Sequence, residues 1–338
     1  MFARRSSGPV GVGTLVLTLA LALTACGSSD SDEADTSSDQ KSETRVFAAD
    51  SGKVTIPADP QRVIATGYAV PALIQAEAPL VGISSWQRGE AMMSDEDLAT
   101  YKKLTKVAGE SAAETNYEAI AEADPDLIIL GVPVPALGDI DMKRLKSIAP
   151  VVAVGPMVPS QWREVSEKHA DAAGVLDSYE KVKAEYEAKA AELKTKYQDV
   201  LPQLKLGHVG SYGDTSKGTF QREFGGSWGT SIAEDIGATY YGEVKKKGPG
   251  SQSVSEYPSI EELSDSLGEA DAITYSVNAD GSVPEGVQYV MDSKLWKNLP
   301  AVKNKMTFPV AYTEAATYGD AQKTLDALDK SLAPLLDN

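Results

Sequence analysis

The sequence predicts an α/β fold of two lobes joined by one long rigid helix, and three observations predict it. Short apolar strands alternate with helical segments over residues 62–154, and a second alternation of the same kind begins at Lys205. Repeated strand–helix–strand units argue a sheet with helices packed on it. Between the two regions, residues 162–197 are rich in Glu, Lys, Ala, Tyr and Leu, with no proline and one glycine, Gly174. A helix of that size is about 50 Å long at 1.5 Å per residue, long enough to serve as a strut between two lobes.

The elements follow in order. Residues 45–50 and 53–56 flank a Ser51-Gly52 turn, the pattern of a hairpin. Pro57 and Pro60 then break the chain before a strand over 62–67. A helix over 70–78, a strand over 80–84 and a helix over 117–123 come next. Residues 126–130 form a continuous apolar run of the kind buried on both faces of a parallel sheet. A helix over 141–148 and a strand over 151–154 close the first region. In the strut, Ala172, Leu176, Tyr179, Val182, Tyr186 and Leu193 recur at mostly helical spacing, and a kink is expected near Gly174 and Asp177. Trp162 is placed to anchor its start.

The second region opens with a strand at 205–210. A helix over 231–236 ends at Gly237 as a C-cap. Residues 257–267 begin with a helix-start signal, 270–275 and 306–310 are strands, and 320–336 is a terminal helix. That helix is expected to bury Leu325, Leu328, Leu332 and Leu336 on one face. A short internal repeat links the lobes: Asn116-x-Glu118-x-Ile120 before the 126–130 strand, and Ser259-x-Glu261-x-Leu263 before the 270–275 strand. In each, a capping side chain precedes a helix that carries an early glutamate.

Composition narrows the function. The chain has 338 residues, with 49 acidic and 32 basic side chains and a net charge of −17. Such a balance excludes nucleic acid as the expected partner. His169 and His208 are far apart, and neither a Cys/His cluster nor H-E-x-x-H is present. A P-loop and a G-x-S-x-G elbow are absent too, so no catalytic residue, metal site or cofactor is expected.

The N-terminus carries Arg4, Arg5, an apolar run over 10–25 and then Leu23-Thr24-Ala25-Cys26, which is a signal-peptide pattern. Its end resembles the lipobox of bacterial lipoproteins. The resemblance implies acylation of Cys26, the sole cysteine, and tethering to the membrane through lipid. Residues 27–43 hold no aromatic or branched aliphatic side chain and suit a flexible spacer. The expected organisation is a signal peptide over 1–25, a tether over 26–44, a first lobe over 45–160, the connecting helix over 161–198 and a second lobe over 199–338.

A wider resemblance rests on Gly52-x-Val54-x-Ile56-Pro57-x-x-Pro60-x-Arg62-Val63, Val81-Gly82, Asn116-Tyr117-Glu118-x-Ile120 and Pro125-Asp126-Leu127-Ile128. It continues with Ser259-x-Glu261-x-Leu263 and Trp296-x-x-Leu299-Pro300-Ala301-Val302. In order and spacing these are similar to the extracytoplasmic substrate-binding proteins of iron-siderophore, haem and cobalamin ABC importers. The resemblance implies two Rossmann-like lobes, one rigid connecting helix, a shallow ligand cleft between the lobes and little closure on ligand. It also implies that Glu118 and Glu261, one on each lobe, dock to arginines of the permease, while both also suit first-turn helix positions. The chain is then expected to act as a monomer on the outer face of the cytoplasmic membrane, fitting a Gram-positive cell surface.

Ligands of open α/β sheets sit beyond the carboxyl ends of the strands. That rule selects Tyr68, the loop with Trp86 and Arg88, and Gly131-Val132-Pro133-Val134-Pro135 in the first lobe. In the second it selects Tyr212, Tyr275, Tyr312 and Tyr318. Residues 219–229 add Phe220, Arg222 and Trp228. Arginine offers a rigid fork of donors to chelate oxygens, and aromatic faces cover organic arms. A ferric siderophore brings its own iron ligands, so a site of Arg, Trp and Tyr needs no metal motif. Residues 245–250 form a basic turn that would favour an anionic chelate if it reached the cleft. Haem and cobalamin remain alternative ligands, and an enzyme or a non-transport surface lipoprotein remain alternative classes.

Overall fold

The structure, a computed structural model, describes residues 43–337. The expected signal peptide, Cys26 and the expected tether through residue 42 lie outside the described residues.

The chain enters through an antiparallel hairpin, β1 (Thr44–Ala49) and β2 (Gly52–Pro57). Phe47 and Ile56 point into the first lobe's core. The Asp50 carboxylate accepts from the Gly155 amide at 3.1 Å and so fixes the hairpin to the lobe. The lobe then runs β3 (Val63–Gly67), α1 (Ala69–Gln75), β4 (Leu80–Ser84), α2 (Asp95–Lys103) and β5 (Lys106–Ala108). It continues with α3 (Tyr117–Glu122), β6 (Leu127–Gly131), α4 (Met142–Lys146) and β7 (Val151–Ala153). The sheet order is β5-β4-β3-β6-β7, parallel throughout. All five residues of β6 are buried, as its apolar run predicts. Asn116 and Asp141 cap α3 and α4 through their side chains.

The predicted strut is helical but consists of two helices, α5 (Trp162–Ala172) and α6 (Leu176–Tyr197). The break falls at the expected place, because Gly174 takes φ +75°, a left-handed conformation that ends α5. Tyr179, Tyr186 and Leu193 are buried along α6, whereas Leu176 at its start is exposed.

The second lobe holds β8 (Leu206–Gly210), β9 (Gln221–Glu223), α7 (Ser231–Asp235), β10 (Ser255–Glu256) and α8 (Leu263–Leu267). It ends with β11 (Ala272–Val277), α9 (Glu285–Asp292), α10 (Lys294–Asn298), α11 (Pro300–Lys303), β12 (Thr307–Ala311) and α12 (Tyr318–Leu332). Its order is β10-β9-β8-β11-β12. Here β8, β11 and β12 are parallel, while β9 and β10 run antiparallel. The sheet is therefore mixed, with a hairpin-like edge that the alternating strand–helix pattern does not announce. Its outer strand β12 carries the exposed Pro309. Leu325, Leu328 and Leu332 are buried as expected, but Leu336 is exposed because α12 gives way to a 3-10 turn over Ala333–Asp337.

The lobes share a packed hinge. The Tyr318 ring lies 4.9 Å from Trp162, 5.7 Å from Tyr179 and 5.1 Å from Tyr186. Near it the Gly319 amide donates to Gln75 Oε1 at 3.1 Å, and Ser166 Oγ donates to the Ala316 carbonyl at 3.2 Å. Arg163 on α5 pairs with Asp235 on α7 at 2.5 Å. The two halves are thus tied at both the connecting helices and the start of α12.

Candidate ligand cleft

The first-lobe wall is built at the point where the strand order reverses, between β3 and β6. Gly67 ends β3 at φ +58°, and a Cβ there would lie 2.5 Å from the Gly131 carbonyl oxygen. A Cβ on Gly131 would lie 2.2 Å from the Ala69 nitrogen. These two glycines let the chains meet, and the Tyr68 amide donates to the Gly131 carbonyl at 2.9 Å. Tyr68 is thereby presented to the cleft. After β4, the Trp86 amide donates to the Tyr101 hydroxyl at 2.8 Å, and the Trp86 indole is buried edge-on to Tyr68, with centroids 5.1 Å apart.

Arg88 covers this floor. Its guanidinium lies 4.0 Å from the Trp86 ring centre and 5.0 Å from that of Tyr68, with Glu110 at 3.6 Å. From the second lobe Trp228 faces Tyr68 almost in parallel, 5° between planes and 6.1 Å between centroids. A cavity of about 430 Å³ is lined by Tyr68, Arg88 and Trp228, with Pro133, Pro135, Met157 and the turn at Pro249–Ser251 among its other walls. A second cavity of about 210 Å³ meets it at Arg88 and is lined by Ser211, Asn278, Tyr312 and Glu314 at the ends of second-lobe strands. The rule of carboxyl ends holds on both lobes.

The electrostatics are compensated. The Tyr212 hydroxyl donates to Glu314 at 2.5 Å, and burial, with Glu314 behind it, raises the phenol well above its ordinary range. Burial also raises the Tyr68 phenol, opposed by Arg88. Of the basic turn, Pro249 and Gly250 reach the cleft, but Lys245 pairs with Glu262 and Lys247 with Glu243.

Four expected ligand contacts sit elsewhere. Arg222 is fully buried in β9. It stacks on Phe224 and Tyr241 and donates to the carbonyls of Glu223, His208 and Tyr241. It fastens the antiparallel edge of the sheet, and the sequence hid this because a Gln-Arg-Glu strand has no apolar alternation. Phe220 is fully buried in the second-lobe core, and Tyr275 packs edge-on to Trp296 in the same cluster. Tyr318 belongs to the hinge.

Pro156, Met157 and Glu314 line the cavities and escaped the sequence reading. The signal was available, since all three follow strand carboxyl ends.

Glu118 and Glu261 are exposed on different lobes, at the start of α3 and in the turn capped by Ser259. Glu118 forms an ion pair with Arg144 of α4, and that hydrogen bond holds its carboxyl below the usual range. Both histidines are interior. His169 Nε2 lies 2.8 Å from the Val154 carbonyl, and burial pushes the ring down to about 4. His208 lies between Thr274 and Ser276, and burial, with Arg222 nearby, pushes it down to about 3. Among the described residues, no group of three His, Cys, Asp or Glu side chains is placed to hold a metal ion.

The profile of the periplasmic binding protein family matches residues 65–308, most of the chain. The chain belongs to that family. It is a binding protein, not an enzyme. The iron(3+)-hydroxamate-binding protein FhuD of Bacillus subtilis is 30% identical over 283 residues, 82% of this chain and 82% of that protein. The iron(3+)-hydroxamate-binding protein YxeB of Bacillus subtilis is 27% identical over 303 residues, 88% of this chain and 87% of the other. Among solved structures, the siderophore periplasmic binding protein from the fuscachelin gene cluster of Thermobifida fusca is 28% identical with a TM-score of 0.66. That match covers 82% of this chain and 98% of the other. Staphylococcus aureus SirA, solved with staphyloferrin B, shares the fold at 21% identity and a TM-score of 0.65, covering 86% of this chain and 99% of that one.

Proposed function

We propose that the cleft between Tyr68 and Trp228 takes a ferric siderophore. The observation that carries this reading is the pair of facing aromatics beside Arg88, lining a cavity of about 430 Å³ at the strand carboxyl ends of both lobes. Tyr68, Trp228 and Tyr212 cover the organic arms. Arg88, whose guanidinium lies over the Trp86 ring, donates to chelate oxygens. The ligand fills its own iron's coordination shell. Both Bacillus relatives are named for iron(3+)-hydroxamate binding, which favours a hydroxamate. A cleft whose one lining arginine is offset by Glu314 and Glu110 suits such a chelate better than a polyanion.

In this reading the chain is the extracytoplasmic receptor of an ABC importer, lipid-anchored through Cys26 at a Gram-positive cell surface, and hands its ligand to the permease. Glu118 and Glu261 read the two lobes at docking. Replacing both by alanine is expected to leave chelate binding intact and to stop uptake of radiolabelled ferric chelate by cells.

The deciding experiment is tryptophan-fluorescence titration of the full chain with ferric hydroxamates, ferric catecholates, haemin and cobalamin in parallel. Saturable quenching by a ferric hydroxamate is the expected result. Binding of haemin or cobalamin alone would replace the ligand while keeping the receptor.

A further inference from the structure

Glu223 is fully buried on β9, directly under the loop over residues 224–230 that carries Trp228. One carboxylate oxygen accepts from the Gly229 amide at 2.6 Å. The other accepts from Gln221 Nε2 at 3.0 Å, and Gln221 Oε1 in turn accepts from the Tyr212 amide at 2.9 Å. One interior carboxylate therefore holds the backbone beside Trp228 directly and that of Tyr212 through Gln221. The contact is close: a Cβ on Gly229 would lie 2.0 Å from His208 Nε2 and 2.6 Å from Glu223 Oε2. The far end of the loop is held separately, where Glu234 accepts from the Gly226 amide at 2.9 Å.

We propose that Glu223 is a positioning residue for the ligand: its ionised carboxylate fixes the Trp228 loop against the cleft, and protonation releases it. This rests on the reading of the cleft as the ligand site. A charge-assisted hydrogen bond is about twice as strong as a neutral one. A proton on Oε2 weakens its acceptance from Gly229 and makes it a donor. Thr274 Oγ1 donates to the Gly207 carbonyl at 3.3 Å and so accepts from His208 Nδ1, which leaves Nε2, 3.6 Å from Glu223, as the facing acceptor on a ring that stays neutral. The carboxyl then moves toward His208 and away from the loop.

The other titratable and charged groups facing Glu223 are Glu314 after β12, Arg222 on its own strand, Tyr240 after α7 and Tyr257 after β10. Burial, opposed by the Gly229 bond and reinforced by Glu314, pushes the Glu223 carboxyl up to about 7. The release thus falls in a range that a secreted or surface protein meets.

The test uses full chain labelled with ¹⁵N at glycine and tryptophan. The Gly229 amide and the Trp228 indole, assigned with Trp228→Phe, are expected to titrate together between about pH 5.5 and 8.5. Affinity for ferric desferrioxamine B, the probe, is expected to fall about fivefold across the same range on acidification. Glu223→Gln removes both steps, and Glu234→Gln keeps them. Titration of neither resonance overturns the proposal, as does movement of Gly229 without Trp228, or loss of the steps in Glu234→Gln instead. If Glu223→Gln does not fold, the wild-type titration decides alone. Coupled titration with no chelate bound at any pH supports the loop release and overturns the ligand reading.

Discussion

Arg88 and Arg222 show how one side-chain type serves opposite ends. Arg88 is exposed, lies over Trp86 with Glu110 at 3.6 Å, and lines the cleft with its fork. Arg222 is interior and spends its donors on backbone carbonyls. The two are expected to respond differently to alanine. Arg88→Ala weakens chelate binding by about 1–3 kcal/mol, the value of a charge-assisted contact, with little change in melting temperature. Arg222→Ala leaves buried carbonyls without donors and costs about 2–4 kcal/mol of stability, read as a lower urea midpoint. The sequence placed both arginines next to aromatics, and only one of those neighbourhoods was the cleft. What separates them is whether the residue follows a strand or lies within one, and β9 is too short and polar to declare itself.

At the scale of elements, the cleft depends on where β3 and β6 end. Gly67→Ala forces a Cβ against the Gly131 carbonyl and a left-handed φ on a residue that resists it. It is expected to cost about 1–3 kcal/mol of stability, seen in thermal unfolding, and to weaken the ligand by displacing Tyr68. Much of this level was legible beforehand. The central parallel strands announced themselves through apolar runs, Asn116 and Ser259 through capping, and the Gly174 break through the one glycine of a helical stretch. The polar α2 and the antiparallel β9 and β10 were not. Their sequences carry no periodicity, and their pairing is set by neighbours distant in the chain. The walls at Pro156, Met157 and Glu314 obey the same strand-end rule as Tyr68 and Arg88, but none is an aromatic or an arginine, so the chemistry expected of a chelate site did not single them out.

For the whole molecule, buried titratable groups oppose one another. Glu223 and Asp320 are both pushed up to about 7 by burial, above their unfolded values. Each contributes stability that is fully present below its unfolded pKa and lost as pH rises through about 7. His169 and His208, pushed down to about 4 and about 3, act in reverse. The unfolded rings take protons below about 6.5 while the folded rings do not, so stability falls on acidification. Between about pH 6.5 and 4.5 these four contributions largely cancel. Urea midpoints are expected to be nearly flat there for the wild type, and to fall on acidification in Glu223→Gln, where one balancing carboxylate is gone.

The two five-stranded sheets end in strands that are two or three residues long, except at β12, where Pro309 faces outward. A proline cannot donate to an incoming strand, so this border offers a stranger no continuous ladder. Many copies can then be crowded together without zipping edge to edge into insoluble arrays. Pro309→Val is expected to raise light scattering of concentrated protein on warming while leaving the urea midpoint within about 1 kcal/mol of the wild type.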